Sequence, residues 1–335
     1  MKALGTLLTS IFLALLCSFG LVIWLGESPT VLFEALYNTF FTSFGLGYTL
    51  FYSTPLIFTG LSVALCFHAG LFNIGAEGQL LWGSIAVVAL GHWLPEIPWY
   101  LAVPLGIFVS AVAGALVGFV AGYFKAFRGS HEVVTTLLLN FISQYWVSYL
   151  ILYRFKNPFN QASETELISN HYWIPAISFF PTTPVNSALF IAIVSSVLVY
   201  YYLFHTVSGF ELRTMGTNKK AAQFAGISIR YRTLSVFVIS GALAGLVGVN
   251  EVMGSEHKVI EGFSPGYGFT GIAVALLARN NPLGIVFSAL LFGSLQNTAR
   301  ELEFLSENIS KEVSLVIQAV LIAFVAYRFK GKSND

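Results

Sequence analysis

The sequence predicts an all-α polytopic membrane protein, with about ten transmembrane helices in two inverted halves of five. Three observations carry that prediction. Of 335 residues, 56% are hydrophobic and 10% are charged, whereas soluble domains carry roughly 25% charged residues, and the mean hydropathy is +0.75. Apolar windows of the ~17–25 residues needed to cross a ~30 Å hydrocarbon core recur along the chain. Five precede the centre and five follow it, and because five is odd the two halves must insert with opposite orientation.

In chain order the windows predict helices near 7–25, 48–67, 75–93, 98–123 and 133–152, then near 185–205, 233–250, 267–279, 282–298 and 313–328. The first run, Leu7 to Leu25, has no small-residue cleavage site after a short apolar stretch, so a retained helix is expected. A single transmembrane domain, 1–335, follows, with pseudo-repeat halves at 1–152 and 185–330. Between them lies a loop at 153–184, rich in Asn, Ser and Pro, too polar for lipid and expected to cap the outer mouth. Its counterpart at 206–232, "TVSGFELRTMGTNKKAAQFAGISIRYR", carries five basic residues and one acidic one. There Thr217 or Asn218 is a candidate N-cap, "KKAAQFA" a short helical body and Gly226 its stop, with Leu212, Met215, Phe224 and Ile227 as apolar contacts. A linker lying on lipid headgroups and a docking helix for a cytoplasmic partner both fit that pattern.

Charge placement orients the chain. With a cytoplasmic N-terminus, 12 of the 17 basic residues fall on the inside, leaving Arg154, Lys156, Lys258, Arg300 and Lys311 outside. The positive-inside rule therefore predicts both termini in the cytoplasm. A formal net charge of +1 gives no reason to expect a nucleic-acid partner. Cys17 and Cys66 both lie in apolar runs and read as packing residues, not as a disulfide or a metal site. No pair of His has metal-ligand spacing, and the terminal "FKGKSND" only mimics the end of a phosphate loop, since Ala326 stands where the first glycine must be.

Polar residues at membrane depth are costly, roughly 2.5–3.5 kcal/mol for an ionisable group on insertion scales, so they mark cavities, partners or interfaces. Asn73, Glu77 and Gln79 cluster among glycines in "FHAGLFNIGAEGQLLWGS". Glu77 can pin irregular backbone, touch a solute or relay a proton. Asn140 and Gln144, four apart, share one face of the fifth window, with Glu132 near its start, and Gln296 and Asn297 end the ninth. Gly114, Gly118 and Gly122 recur every four residues, as do Gly241 and Gly245, and small residues at that spacing let helix backbones approach closely. A weak echo links "NIGAEGQLLWGSIAVVAL" to "FSPGYGFTGIAVALLA", each a Gly-rich lead into a small-residue helix.

The stretches "GLFNIGAEGQLL" (70–81), "HEVVTTLLLN" (131–140), "MGTNKKAAQFAGI" (215–227), "SGALAGLVG" (240–248) and "SPGYGFTGIAVALLARNNPLGI" (264–285) together resemble the ABC importer permeases of the branched-chain amino acid and ribose type. The match is closest to the branch associated with nucleosides and some simple sugars, and it runs in order over essentially the whole chain. The resemblance implies a non-enzymatic permease of a bacterial inner membrane, with two membrane subunits forming the pathway. It implies as partners a cytoplasmic ABC ATPase subunit that holds the ATP, a second permease subunit, expected to be a homologue, and an extracytoplasmic solute-binding protein. No cofactor is then expected on this chain. Residues Glu211 to Ile227 match the coupling segment, placing Glu211, Arg213, Asn218, Lys219, Lys220, Ala221, Phe224 and Gly226 against the ATPase. Asn73 to Gln79 and Gly266 to Thr270 match the interrupted helices beside the pathway, which adds Tyr267 and Phe269 to the pathway candidates. A nucleoside is the expected solute, with a ribose-like sugar and a proton-coupled secondary transporter as the alternatives.

Overall fold

A computed structural model describes residues 28–306 together with Gly20 and Ile23; the windows at 7–25 and 313–328 lie outside the described residues. Among the described residues the chain is helical, with isolated β-bridges only in the long loops. In order the helices are α1 (Pro29–Phe41), α2 (Ser43–His68), α3 (Ala76–Trp93), α4 (Trp99–Arg128), α5 (Glu132–Tyr149), α6 (Ala188–His205), α7 (Val207–Thr217), α8 (Lys219–Phe224), α9 (Ile229–Gly245), α10 (Tyr267–Leu277) and α11 (Pro282–Leu305). α5 runs on into a π-helical turn, Leu150–Arg154, and α9 is followed by a second, Val249–Glu256.

Five of the described helices are long and apolar enough to cross a membrane: Ser43–His68, Trp99–Arg128, Glu132–Arg154, Ala188–His205 and Ile229–Glu256. α3 falls short of that standard because Glu77 and Gln79 sit in its first turn. α10 departs further from the window at 267–279. Its 11 residues span about 16 Å at 1.5 Å per residue, about half a crossing. α1 departs the other way, since the windows predict no element at 29–41. Ser28 Oγ accepts the Thr30 N–H at 3.3 Å and Pro29 opens the first turn, a start signal that a hydropathy window of crossing length averages away.

Chain contacts divide the molecule into two compact units. Among the described residues, one holds 28–52, Phe179–Thr183 and 290–306; the other holds Ser53–Ser178 and Pro184–Ala289. Polar pins order the first unit. The Asn297 amide donates to Gly45 O at 2.9 Å and to Thr49 Oγ1 at 3.3 Å, and Arg300 lies 3.7 Å above the Tyr48 ring.

The second unit is built around α4 against α9. Gly114, Gly118 and Gly122 on α4 meet Gly241, Gly245 and Phe237 on α9, and a Cβ added at Gly114, Gly118, Gly241 or Gly245 would fall under 3.0 Å from backbone of the facing helix. Ser110 Oγ crosses the same seam to donate to Gly245 O at 2.6 Å. Lipid supplies no hydrophobic drive between helices, so close backbone packing and an interhelical hydrogen bond are what hold such a pair. The outcome is asymmetric exposure: the window of Ile229–Glu256 is 83% buried, while that of Trp99–Arg128 is only 22% buried. α4 therefore gives its glycine stripe to the core and its Phe108, Leu116 and Phe119 face to the surroundings.

The loop at 153–184 has more order than its lack of periodicity suggests. Lys156 bridges to Thr165, Glu164 to Ile260 and Ala176 to Asn186. The Lys258 ammonium lies 2.6 Å from the Glu164 carboxylate, and that ion pair with the Asn160 amide holds Glu164 below the usual carboxylate range. Trp173 stacks on His257, ring centroids 3.8 Å apart, and burial pulls the His257 imidazole below its ordinary value.

Candidate functional site

The site begins where two helices start. α3 opens after the non-helical stretch 70–75, and α10 opens after Gly266, whose φ of 88° is in the left-handed region that glycine adopts freely. The two N-termini touch: a Cβ on Gly268 would lie under 3.0 Å from the backbone of Ala76 and Glu77. Across this contact Glu77 Oε2 accepts the Gly268 N–H at 2.7 Å. Ser264 Oγ accepts the N–H groups of Gly266 at 3.3 Å and Tyr267 at 3.2 Å, close to the Glu77 carboxylate. One carboxylate thus ties both helix starts together, where the positive ends of two helix dipoles favour a negative group.

Beside this junction is a cavity of about 340 Å³. Its walls come from α3 (Glu77, Leu81), from α5 and its π-helical turn (Asn140, Gln144, Ile151 among them) and from the lead into α10 (Ile260 to Ser264, Gly266 and Phe269). Glu77, Asn140, Gln144 and Phe269 are thereby gathered from three separate sequence stretches. Within the cavity their roles differ. Asn140 has both ends of its amide engaged, accepting the Gly78 N–H and donating to Ile74 O, each at 2.8 Å, so it braces the irregular chain before α3. Gln144 is exposed to the cavity, and Phe269 is 46% exposed.

The other pathway candidates lie elsewhere. Asn73 and Gln79 are buried in a knot with α2 and α9, in which the Asn73 amide donates to Gln79 Oε1 at 2.9 Å and to Ser240 Oγ at 2.7 Å, while Ser240 Oγ also lies 2.8 Å from Ser62 Oγ. Tyr267 is buried near Glu251. Gln296 and Asn297 belong to the first unit, and Asn297 is committed to Gly45 and Thr49.

Sequence reasoning passes over Glu251. It sits in the π-helical turn after α9, buried at 7% exposure, and accepts from the Asn250 amide at 3.0 Å. The carboxyl in "GVNEVMG" lies one residue past the end of the seventh window, and an ionisable group so close to an apolar run is the signal that could have found it.

In the 206–232 stretch the chain forms two helices. Asn218 ends α7 and caps α8, its Oδ1 accepting the N–H groups of Lys220 and Ala221 at 3.1 Å each. Gly226 follows with φ 81°. Leu212 and Met215 are fully buried, whereas Lys219, Lys220 and Ala221 are exposed and Phe224 is 93% exposed. Of the four apolar contacts expected in this stretch, Leu212 and Met215 are thus covered within the described residues, and Phe224 is left open. Glu211 pairs with Arg232, and the Arg213 guanidinium lies 5.0 Å from the Phe204 ring centroid. These contacts fasten α7 to α6 and α9 and leave α8 projecting.

Residues 45–326 match the family described as branched-chain amino acid transport system, permease component. The guanosine ABC transporter permease NupP of Bacillus subtilis is 35% identical over 324 residues, covering 95% of this chain and 92% of that protein. The nucleoside ABC transporter permease NupB of Lactococcus lactis subsp. cremoris is 35% identical over 340 residues, 98% of this chain and 92% of its own. The glucose ABC transporter permease TsgB13 of Haloferax volcanii is 31% identical, over 96% of this chain and 87% of its own.

Proposed function

Because the chain belongs to the permease family of the branched-chain amino acid transport system, we propose that it is the membrane-spanning subunit of an ATP-binding cassette importer whose solute is a nucleoside. One observation carries the solute class: the two relatives at 35% identity, each aligned over nearly the whole chain, are permeases for guanosine and for nucleosides. The glucose permease at 31% identity makes a sugar the second reading.

The chemistry of the cavity supports the first. A nucleoside is planar and apolar on its base faces and carries N–H and O–H donors at its edges. Phe269, Phe141 and Phe263 offer rings, and Glu77, Gln144 and Ser148 offer acceptors, around about 340 Å³, a volume within the ~300–1,000 Å³ of small-molecule sites. The cavity reaches from Glu77 toward Ile260, which bridges to Glu164 in the loop at 153–184. That loop we place outside, both termini in the cytoplasm and the protein in a bacterial inner membrane. Solute handed over by an extracytoplasmic binding protein then meets the cavity first.

α8 is the coupling element. Its exposed Lys219, Lys220 and Phe224 dock into a cytoplasmic ATPase subunit, and α7, fixed to α9 through Glu211 and Arg232, carries the ATPase movement to the helices around the cavity. ATP binds the ATPase subunit and not this chain, and a second permease subunit, a homologue, completes the membrane pair.

Reconstitution of the four components in proteoliposomes tests the proposal through ATP-dependent uptake of labelled guanosine, adenosine, uridine and ribose. Uptake of nucleosides is expected. A response to ribose alone overturns the solute class, and uptake that persists without the ATPase but collapses with the proton gradient overturns the transporter class.

A further inference from the structure

The cavity beside Glu77 has a charge pattern that bears on more than the choice of a nucleoside, provided that the cavity is part of the pathway as proposed above. Two carboxylates line it, Glu77 at its inner end and Glu261 at its rim, together with the Gln144 amide and the Ser148 and Ser264 hydroxyls; none of the described residues lining it is Lys, Arg or His. Of the basic side chains close in sequence, Lys156 is exposed and does not line the cavity, and two others lie elsewhere. Lys258 is held by Glu164 at 2.6 Å, and Arg154 lines a separate, apolar groove between α3, α4 and α5. Glu261 is exposed and has no ion-pair partner among the described residues.

We propose that this cavity is an anion-excluding compartment, so that the permease itself passes uncharged, donor-bearing solutes and rejects their phosphorylated forms, whatever the binding protein delivers. A carboxylate accepts hydrogen bonds and cannot donate them, so Glu77 and Glu261 reward the N–H and O–H groups of a neutral nucleoside. A phosphate brought to the same place would find no cation in the lining, the exposed Glu261 carboxylate as a like charge and a Glu77 carboxyl already committed to Gly268, in a compartment whose apolar walls, Leu81, Val147 and Ile151 among them, strengthen the repulsion relative to bulk water. Clefts lined by one sign of charge concentrate or exclude ions well before any contact is made.

The Gln144 side chain provides a reporter, being exposed to the cavity that Glu77 and Glu261 also line. In full-length protein lacking Cys17 and Cys66, a Gln144→Cys variant is treated with a cationic trimethylammonium thiosulfonate and with an anionic sulfonate thiosulfonate of similar size. The ratio of their rates is compared with the ratio on a free thiol in solution. We expect the cationic reagent to be favoured over that reference on the order of tenfold at low salt, less as salt rises. Glu261→Gln should reduce the preference, and Glu77→Gln with Glu261→Gln should return the ratio to the free-thiol value. A parent ratio at or below the free-thiol value overturns the proposal, as does a preference that survives removal of both carboxylates. Should Gln144→Cys react with neither reagent, Ser148→Cys reports the same cavity, and silence at both positions also overturns it. No solute, binding protein or ATPase enters this measurement, so it fails or succeeds separately from nucleoside uptake by the reconstituted importer.

Discussion

Gly114 on α4 is the position at which one methyl group should do the most harm. A Cβ built there falls under 3.0 Å from Gly241 O, 2.8 Å from Gly245 Cα and 2.9 Å from Gly245 N. All three are backbone atoms of α9, so no side chain can swing away, and relief requires the helices to part. Overpacking of this kind costs about 1–3 kcal/mol. Parting also stretches the Ser110 to Gly245 hydrogen bond, 2.6 Å long, worth about 1 kcal/mol. Against this, replacing a mid-helix glycine by alanine gains up to about 1 kcal/mol of helix propensity. Gly114→Ala should therefore be net destabilising by about 1–3 kcal/mol. Gly284, in the first turn of α11, provides a clash-free comparison: its Cβ would meet nothing nearer than 3.5 Å, so Gly284→Ala should be close to neutral. Thermal unfolding in detergent of proteins that carry Cys17→Ser, followed by a thiol-reactive dye on Cys66, which is buried in the folded protein, ranks the three proteins. A Gly114→Ala protein as stable as its parent would refute the reasoning that backbone contact, and not lipid-facing packing, holds α4 to α9.

Other expectations rest on the same geometry. Glu77→Gln retains a carbonyl that can accept the Gly268 N–H and should keep most ATP-driven uptake in proteoliposomes, whereas Glu77→Ala leaves that N–H unpaired at about 1–3 kcal/mol and should lose both stability and uptake; equal loss in the two variants would point to an obligatory charge or proton role. Asn218→Ala removes the cap of α8, a change that costs about 0.5–2 kcal/mol of helix stability, and should weaken stimulation of the ATPase by solute while membrane insertion, assayed by fractionation, is unchanged. Glu164 sits below the usual carboxylate range because of Lys258, so its contribution to stability is complete above the ordinary value and is lost as pH falls through the depressed one. The difference in melting temperature between parent and Glu164→Gln should accordingly be present at pH 7 and close on acidification below about pH 4; a difference independent of pH would remove the ion pair from the explanation.

Much of this architecture is legible in the sequence, and where it is not the reasons are physical. Hydropathy and small-residue spacing locate α2, α4, α5, α6 and α9 to within a few residues, because each is apolar over a crossing length, and they locate the facing glycines of α4 and α9. The same averaging hides α1 and overstates α10, since a short helix has the same hydropathy whether or not its neighbours continue it. Within the Asn73 to Gln79 cluster, proximity in sequence suggests one site. Two residues apart on a helix, however, Glu77 and Gln79 point about 200° apart, so one lines a cavity while the other joins Asn73 and Ser240 in the core. Leu212, Met215 and Phe224 look alike as apolar residues of one segment; only the three-dimensional arrangement separates the two that are buried from the ring left exposed.

The hydrogen bond from Gly268 to Glu77 joins residues 191 positions apart. During synthesis at roughly 5–20 residues per second, the carboxylate emerges about 10–40 seconds before its partner. For that interval α3 has an uncapped acidic first turn next to a glycine-broken lead, a segment unsuited to settling in lipid by itself. The nascent chain must therefore hold this helix in the insertion machinery or at the membrane surface until the second half arrives. Truncations ending between residues 94 and 266 should be recognised and degraded by membrane proteases, while those that include α10 should persist. The contact that shapes the cavity thereby joins two segments that the ribosome delivers about 10–40 seconds apart.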